Sequence, residues 1–106
     1  MKKTFGQIIC EARRGKGYSQ RDLADRVKLH FTYLSKLEND RADTPPSEES
    51  IRLLARNLDL DEEELIFLAG RIPHCYQKLI RENYKEMPAL LRQLQRDQEC
   101  EPEFQE

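Results

Sequence analysis

Hydrogen-bonding and aromatic side chains are concentrated on one side of a short predicted helix. They belong to Phe31, Thr32, Ser35 and Lys36. Residues three and four positions apart share a helix face, so these side chains have the spacing by which a helix lies along a groove. Hydroxyls donate and accept hydrogen bonds, and an ammonium group donates them. Phe31 is equally compatible with apolar contact to a ligand or a place over the turn, and Tyr33 is expected at the core edge with its hydroxyl outward.

Two short helices around a tight turn position this face. Ser19, with Asp22 three residues later, gives a capping-box-like start to the first helix. The apolar face of that helix is formed by Leu23, Ala24 and Val27. The second helix is predicted over residues 31–39, with Leu34 and Leu37 toward the core. The pattern is that of a helix-turn-helix.

Charge is divided unevenly along the chain. Residues 1–41 carry ten Lys or Arg against five Asp or Glu, whereas residues 42–106 carry eight against fifteen. The net charge of −2 therefore hides a basic N-terminal segment, which suits a polyanionic partner. The acidic remainder is expected to face solvent or a protein partner.

Further helices complete the first part of the chain. A charged fraction of 36%, no Trp and few Gly favour amphipathic helices with charged outer faces. Helix starts are predicted after the capping residues Thr4, Ser47 and Asp61, and Gly70 ends the fifth helix. Arg52 and Arg56 are predicted to be an exposed pair of like charges.

We predict an all-α protein with three segments. A five-helix domain spans residues 1–70, a short helical extension spans 71–97, and a disordered acidic tail spans 98–106. In the extension, Pro73 is expected at the first position of a sixth helix, and Pro88 is expected to start or kink a seventh.

Composition excludes several classes of protein. Cys10, Cys75 and Cys100 are an odd set without a CxxC pair, which disfavours a secreted disulfide framework. The longest clear apolar run, residues 65–69, is too short to cross a bilayer. We therefore expect a soluble cytoplasmic protein that does not enter a membrane.

Enzymatic and metal chemistry find no support in the sequence. His74 and Cys75 are adjacent, so on a helix their side chains would point about 100° apart. Neither has a second Cys or His at ligand spacing, which favours a plain surface pair over a metal site. No nucleophilic triad, Gly-rich phosphate loop or HExxH motif is present. We expect a non-enzyme with no metal and no cofactor.

The motif resembles a known family. SQRDLADRV, a three-residue turn and FTYLSKLENDR are similar to the DNA-binding domain of the Cro and lambda-repressor type of regulators of bacteria and phages, often called XRE-like. The resemblance covers residues 5–70, and its most specific part is YLSKLEND at residues 33–40. It implies a lambda-repressor-like five-helix domain and a sequence-specific, double-stranded DNA-binding transcriptional regulator.

Site residues follow from this resemblance position by position. It places Phe31, Thr32, Ser35 and Lys36 on the base-reading face. Lys36 would donate to guanine O6 or N7, and Phe31 or the Thr32 methyl group would contact a thymine methyl. Gln20 and Asn39 fall where the family binds phosphates. Charge and proximity add four further phosphate candidates, which are Arg41, Arg14, Lys16 and Lys28.

The resemblance also implies a structural ion pair between Arg13 and Glu38, which would join the first and third helices. Three positions depart from the usual family pattern. Lys28 replaces a turn glycine, His30 replaces a Ser or Thr cap, and Asp40 replaces the glycine after Glu-Asn. Lys28 must then accept a left-handed backbone, His30 is a poorer cap, and the charge of Asp40 must point away from DNA phosphates.

A repressor that binds a palindromic operator as a homodimer is the expected function. One recognition helix makes too few base contacts for operator-level discrimination, and the family uses two-fold symmetry with half-sites one helical turn apart. The predicted dimer surface is the C-terminal extension, through Ile72, Tyr76, Leu79, Ile80, Leu90, Leu91 and Leu94. The alternative is that these residues cover the domain itself.

A protein-interaction module is the alternative function. In this case an antitoxin-like or accessory protein would bind a partner protein through its acidic C-terminal half. RNA binding is disfavoured because the sequence has no aromatic stacking platform.

Overall fold

The computed structural model describes residues 2–99, which divide after Pro73 into two compact units. Every regular element of the described residues is a helix, which confirms the all-α prediction. The first unit contains α1 (Phe5–Lys16), α2 (Gln20–Val27), α3 (Phe31–Glu38), α4 (Glu48–Leu58) and α5 (Glu62–Leu68). None of the helices in residues 2–99 is long and apolar enough to cross a membrane.

Capping side chains start the helices of the first unit where the sequence predicts. Thr4 and Gln7 form a reciprocal capping box at α1, and Ser19 and Asp22 form a second one at α2. Each pair satisfies two backbone N–H groups that have no partner within the helix. The starts of α1 and α2 are therefore encoded within four residues of sequence.

One core lies between the five helices. Its fully buried side chains come from every helix and include Ile9, Leu23, Leu34, Ile51, Leu54 and Ile66. The apolar residues of α2 and α3 predicted to face inward, Leu23, Ala24, Val27, Leu34 and Leu37, are all buried. Burial of this stripe orients the opposite side of α3 toward solvent.

A close approach of α1 and α3 depends on a glycine. A Cβ atom added at Gly6 would lie 2.3 Å from the carbonyl oxygen of Leu37 and 2.9 Å from that of Glu38. Both neighbours are backbone atoms, which cannot move aside without displacing α3. Gly6 is buried, and it sets how closely α1 packs on the end of α3.

The prediction of a like-charged pair on α4 is corrected by the structure. Arg52 and Arg56 both donate hydrogen bonds to Glu62 at the start of α5, with Nη1 to Oε1 at 2.9 Å and Nε to Oε2 at 2.9 Å. Arg52 also binds Glu48. Helical spacing shows which cations are neighbours, but it does not show that the next helix supplies the counter-charge.

The second unit consists of a 3₁₀ turn, His74–Tyr76, followed by α6 (Gln77–Glu82) and α7 (Met87–Glu99). The expectation that Pro73 begins a helix is wrong, because α-helical hydrogen bonding starts only at Gln77 and Pro73 is buried in the first unit. Pro88 lies in the first turn of α7, where its missing N–H has no intrahelical partner to lose.

The last helix extends into the first two residues of the segment that the sequence predicts as a disordered acidic tail, 98–106. α7 continues through residues 98 and 99. The remaining residues of the predicted tail, 100–106, lie outside the described residues.

Candidate nucleic-acid interface

The residues predicted to read bases lie together on the outer side of α3. Thr32 and Lys36, four residues apart, are both exposed, and Ser35 between them is half-buried. Leu34 and Leu37 are buried on the opposite side. This face therefore offers hydroxyl and ammonium groups to a ligand while the helix is held by its apolar side.

Phe31, the first residue of α3, lies on the surface rather than in the core. Its side chain is 36% exposed, and the guanidinium carbon of Arg21 lies 4.4 Å from the centre of its ring. Arg21 is the second residue of α2. The structure thus brings the beginnings of α2 and α3 together through this cation–π contact.

The turn between α2 and α3 accommodates two of the departures from the family pattern. Lys28 adopts the left-handed conformation, with φ 59° and ψ 38°, and its N–H donates to the carbonyl of Ala24. His30 caps α3, since its Nδ1 accepts a hydrogen bond of 3.2 Å from the N–H of Thr32. Both residues perform the backbone role of the residue type that they replace.

A buried ion pair joins α1 to α3 behind the exposed face. Arg13 Nε donates to Glu38 Oε2 at 2.6 Å and Arg13 Nη2 donates to Oε1 at 3.0 Å, a bidentate arrangement. Their side chains are only 10% and 2% exposed. Arg13 Nη1 also donates to the carbonyl of Tyr18 at 2.9 Å. The pair joins the last turn of α1 to the last residue of α3.

Gln20 extends this cluster to α2. Its Nε2 donates to Glu38 Oε1 at 2.9 Å. Burial alone would raise the pKa of Glu38, but the hydrogen bonds from Arg13 and Gln20 outweigh it and hold that pKa below its usual value. The same hydrogen bond to Glu38 raises the pKa of Arg13 against the opposing effect of burial. Both groups stay charged at neutral pH.

The end of α3 is held by polar side chains. Asn39 Nδ2 donates to the carbonyl of Ser35 at 2.8 Å, so one of its two amide N–H groups is used within the helix. Asp40 has φ 57°, and its carboxylate accepts hydrogen bonds from the Thr4 hydroxyl at 2.7 Å and the Gly6 N–H at 3.2 Å. The negative charge of Asp40 is therefore directed at the N-terminus of α1, where the helix dipole favours it.

The phosphate candidates fall into two groups. Lys28 and Arg41 are exposed in the segments immediately before and after α3, and Arg14 is exposed near the end of α1. Lys16 forms an ion pair with Asp59 at the end of α4, and this hydrogen bond raises the pKa of Lys16. The charge of Lys16 is thus engaged within the protein, whereas Lys28 and Arg41 flank the predicted base-reading face.

The expectation that the Tyr33 hydroxyl points outward is corrected. Tyr33 Oη donates to the carbonyl of Thr44 at 2.6 Å, and burial raises the pKa of Tyr33. The contact holds the loop after α3 against the helix. Sequence reasoning missed it, as it missed the Arg21 contact with Phe31, because both join residues of different segments and follow no helical period.

A family model described as Helix-turn-helix matches residues 11–65, which is the segment that contains α2, the turn and α3. The chain belongs to this helix-turn-helix family. Its sequence is also 31% identical over 84 residues to the HTH-type transcriptional regulator SinR of Bacillus subtilis (strain 168). That match covers 74% of this chain and 75% of SinR.

Two solved structures have a similar fold. One is the crystal structure of SinR, the master regulator for biofilm formation, in complex with DNA; it has a TM-score of 0.53 and 30% identity, and the match covers 59% of this chain and 98% of that one. The other is a complex of the SinR and SinI proteins, with a TM-score of 0.54 over 90% of this chain and 98% of that one. Its identity of 24% shows likeness of fold alone.

Proposed function

We propose that this chain is a sequence-specific, double-stranded DNA-binding transcriptional regulator that acts as a repressor in the cytoplasm. The observation that carries the proposal is the two-sided character of α3, with Leu34 and Leu37 buried and Thr32 and Lys36 exposed. In a helix-turn-helix the second helix enters the major groove, and its N-terminal residues contact base edges. The solved relative with 30% identity was crystallised with DNA.

The proposal gives each group of site residues a role. Phe31, Thr32, Ser35 and Lys36 contact base edges, and Lys28 and Arg41 bind phosphates on either side of α3. Gln20 and Asn39 each use one amide N–H inside the protein and keep a second for a phosphate oxygen. Arg14 and Lys16 lie at the end of α1. They attract DNA phosphates over a longer range and more weakly than Lys28 and Arg41 do. Arg13 and Glu38 position α3 and do not touch DNA.

The regulator is proposed to bind as a homodimer to a palindrome. A small domain that occupies an operator blocks transcription without further parts, which favours a repressor. Two copies related by two-fold symmetry double the number of base contacts, with half-sites about 34–36 Å apart. A palindromic operator is the corresponding expectation for the DNA.

The second unit supplies the proposed dimer surface. Its exposed apolar side chains include Leu79 on α6 and Leu90, Leu91 and Leu94 on α7, each more than half exposed. Exposed leucines on neighbouring turns of one helix form a stripe that favours packing against another helix. The same observation supports a second candidate function, in which this stripe binds a different protein and the chain serves as an antitoxin-like or accessory module.

Selection of bound sequences from a random duplex pool, at a stated salt concentration, tests the proposal directly. We expect the full chain to enrich one sequence with two-fold symmetry. Lys36→Ala should lose the enrichment at one base of each half-site, whereas Lys78→Ala, an exposed lysine of α6, should enrich the same sequence as the unsubstituted chain. Recovery of no preferred sequence would leave the protein-interaction function as the better account.

A further inference from the structure

An arginine outside the recognition helix is held at the beginning of that helix. Arg21 belongs to α2, yet its guanidinium lies over the ring of Phe31 at 4.4 Å from the ring centre. Both side chains are exposed, and both occupy the first turn of their helices. Side chains from the first turns of α2 and α3 therefore meet at this point of the surface.

The contact leaves the hydrogen-bonding edge of Arg21 available. Two arginines of the first unit donate to protein oxygen atoms, Arg13 to Glu38 and Arg71 to the carbonyl of Pro46. Within residues 2–99 the contact of Arg21 is with the Phe31 ring face, which engages the plane of the guanidinium and not its N–H groups. Stacking also restricts the rotamers of a long side chain, so less conformational entropy is lost when the edge binds.

We propose that Arg21 and Phe31 act as one base-reading unit, in which Arg21 reads a guanine and Phe31 contacts the methyl group of a neighbouring thymine. This inference rests on the proposed DNA-binding function. In that docking the N-terminal residues of the second helix face base edges, and Phe31 is the first of them. Arg21 over its ring then presents two parallel N–H donors to O6 and N7 of guanine, the commonest specific contact in the major groove.

A phosphate contact is the competing role for Arg21, and a lysine substitution separates the two. Lysine keeps the positive charge that a phosphate needs but lacks the rigid planar fork by which arginine donates two parallel hydrogen bonds to guanine. Arg26→Lys is the matched control, because Arg26 lies on the same helix and stacks on Tyr18 at the same distance of 4.4 Å. Arg26 is five residues farther along α2 and so faces another direction.

The experiment measures binding of the full chain to its selected operator, to every single-base variant of one half-site and to random DNA at fixed salt. For Arg21→Lys we expect a loss of roughly 5- to 150-fold on the operator, little change on random DNA, and loss of discrimination at one guanine. Phe31→Leu should abolish the preference for thymine at the adjacent position and reduce the preference for that guanine. Arg26→Lys should leave the whole profile unchanged, and thermal unfolding checks that each variant is folded.

Two other results have distinct meanings. An Arg21→Lys profile identical to that of the unsubstituted chain, or equal losses for Arg21→Ala on operator and random DNA, would overturn the base-reading unit and assign Arg21 to a phosphate. Failure of the unsubstituted chain to select any sequence would overturn the proposed function, and with it the premise of this inference.

Discussion

The carboxylate of Asp40 accepts a hydrogen bond of 2.7 Å from the hydroxyl of Thr4, 36 residues earlier in the chain. Thr4 caps α1 and Asp40 follows α3, so this contact ties the end of the recognition helix to the beginning of the domain. The same carboxylate binds the N–H of Gly6. An aspartate at a position where the related regulators usually have glycine is thus used for a bond that glycine cannot make.

Glycine substitutions at two left-handed positions should have opposite effects. Lys28 and Asp40 have φ values of 59° and 57°, which glycine adopts without steric cost. Lys28→Gly should therefore raise the free energy of unfolding by about 0.5–1 kcal/mol. Asp40→Gly should lower it by about 1 kcal/mol, because the hydrogen bonds to Thr4 and Gly6 are lost. Urea unfolding of both variants measures the two signs, and stabilisation by Asp40→Gly would show that these bonds contribute less than the backbone strain that glycine relieves.

Two glycines of α1 should respond oppositely to alanine. A Cβ at Gly6 meets the backbone carbonyl of Leu37 at 2.3 Å, so Gly6→Ala should lower stability by about 3 kcal/mol or more and displace α3. Gly15 lies within α1 with no heavy atom within 4 Å of the added Cβ. Gly15→Ala should raise stability by about 0.5–1 kcal/mol through helix propensity. Thermal unfolding distinguishes them; equal effects would mean that the close approach of α1 and α3 is absent.

Acid should weaken the domain partly through Glu38. The hydrogen bonds from Arg13 and Gln20 hold the pKa of Glu38 below its ordinary value. A glutamate in an unfolded chain has a pKa of about 4.3. A carboxylate with a depressed pKa adds stability that is fully present above its unfolded pKa and is lost as the pH falls through its folded pKa. The unsubstituted chain should therefore lose stability progressively below about pH 4.3.

Glu38→Gln isolates that contribution. At neutral pH it leaves Arg13 buried without a counter-charge and should lower stability by about 3–5 kcal/mol. Below about pH 4.3 its stability should fall less steeply than that of the unsubstituted chain. Glu11→Gln is the control, since Glu11 is an exposed partner of Lys3 and its removal should leave the acid slope nearly unchanged. Identical acid slopes for all three proteins would exclude Glu38 as the titrating group.

Lys36 and Arg41 should differ in how they affect DNA binding. Lys36→Ala removes a proposed guanine contact and should weaken operator binding by about 1–3 kcal/mol, with loss of preference at one base. Arg41→Ala removes a proposed phosphate contact and should weaken operator and random DNA alike, reducing the salt slope by about one. Arg41 serves this comparison better than Gln20, because Gln20→Ala would also remove a hydrogen bond from Glu38. Equal losses on both DNAs for Lys36→Ala would remove Lys36 from the base-reading face.

The exposed leucines of α7 should control self-association. Leu90 and Leu94 are 57% and 60% exposed and lie one helical turn apart. If they form a dimer surface, changing both to glutamate should convert the full chain to a monomer in sedimentation equilibrium and weaken operator binding. Gln95→Glu, at an exposed polar position of the same helix, adds a charge without removing an apolar contact. A dimer that survives the double substitution would place its interface elsewhere.

Local features of this protein were predictable in detail. Three features lie within short stretches of sequence: the capping box at Ser19 and Asp22, the apolar stripe of α2 and α3, and the motif that resembles the family. Helix caps and periodic burial depend on residues at most four positions apart. The helix-turn-helix motif and the family to which it belongs could therefore be inferred from the sequence alone.

Contacts between segments needed three-dimensional coordinates. Asp40 meets Thr4 across 36 residues, Glu62 supplies the counter-charge of Arg52 and Arg56, and Arg21 stacks on Phe31 of the next helix. None of these pairs follows a helical period, because each depends on how one helix packs on another. Phe31 shows the difference most clearly. Its position in the sequence is compatible with the core or the surface. The packing of α2 against α3 leaves its side chain on the surface, where Arg21 stacks on the ring. Residue spacing predicted the recognition helix, and tertiary packing determined which side chains stand beside it.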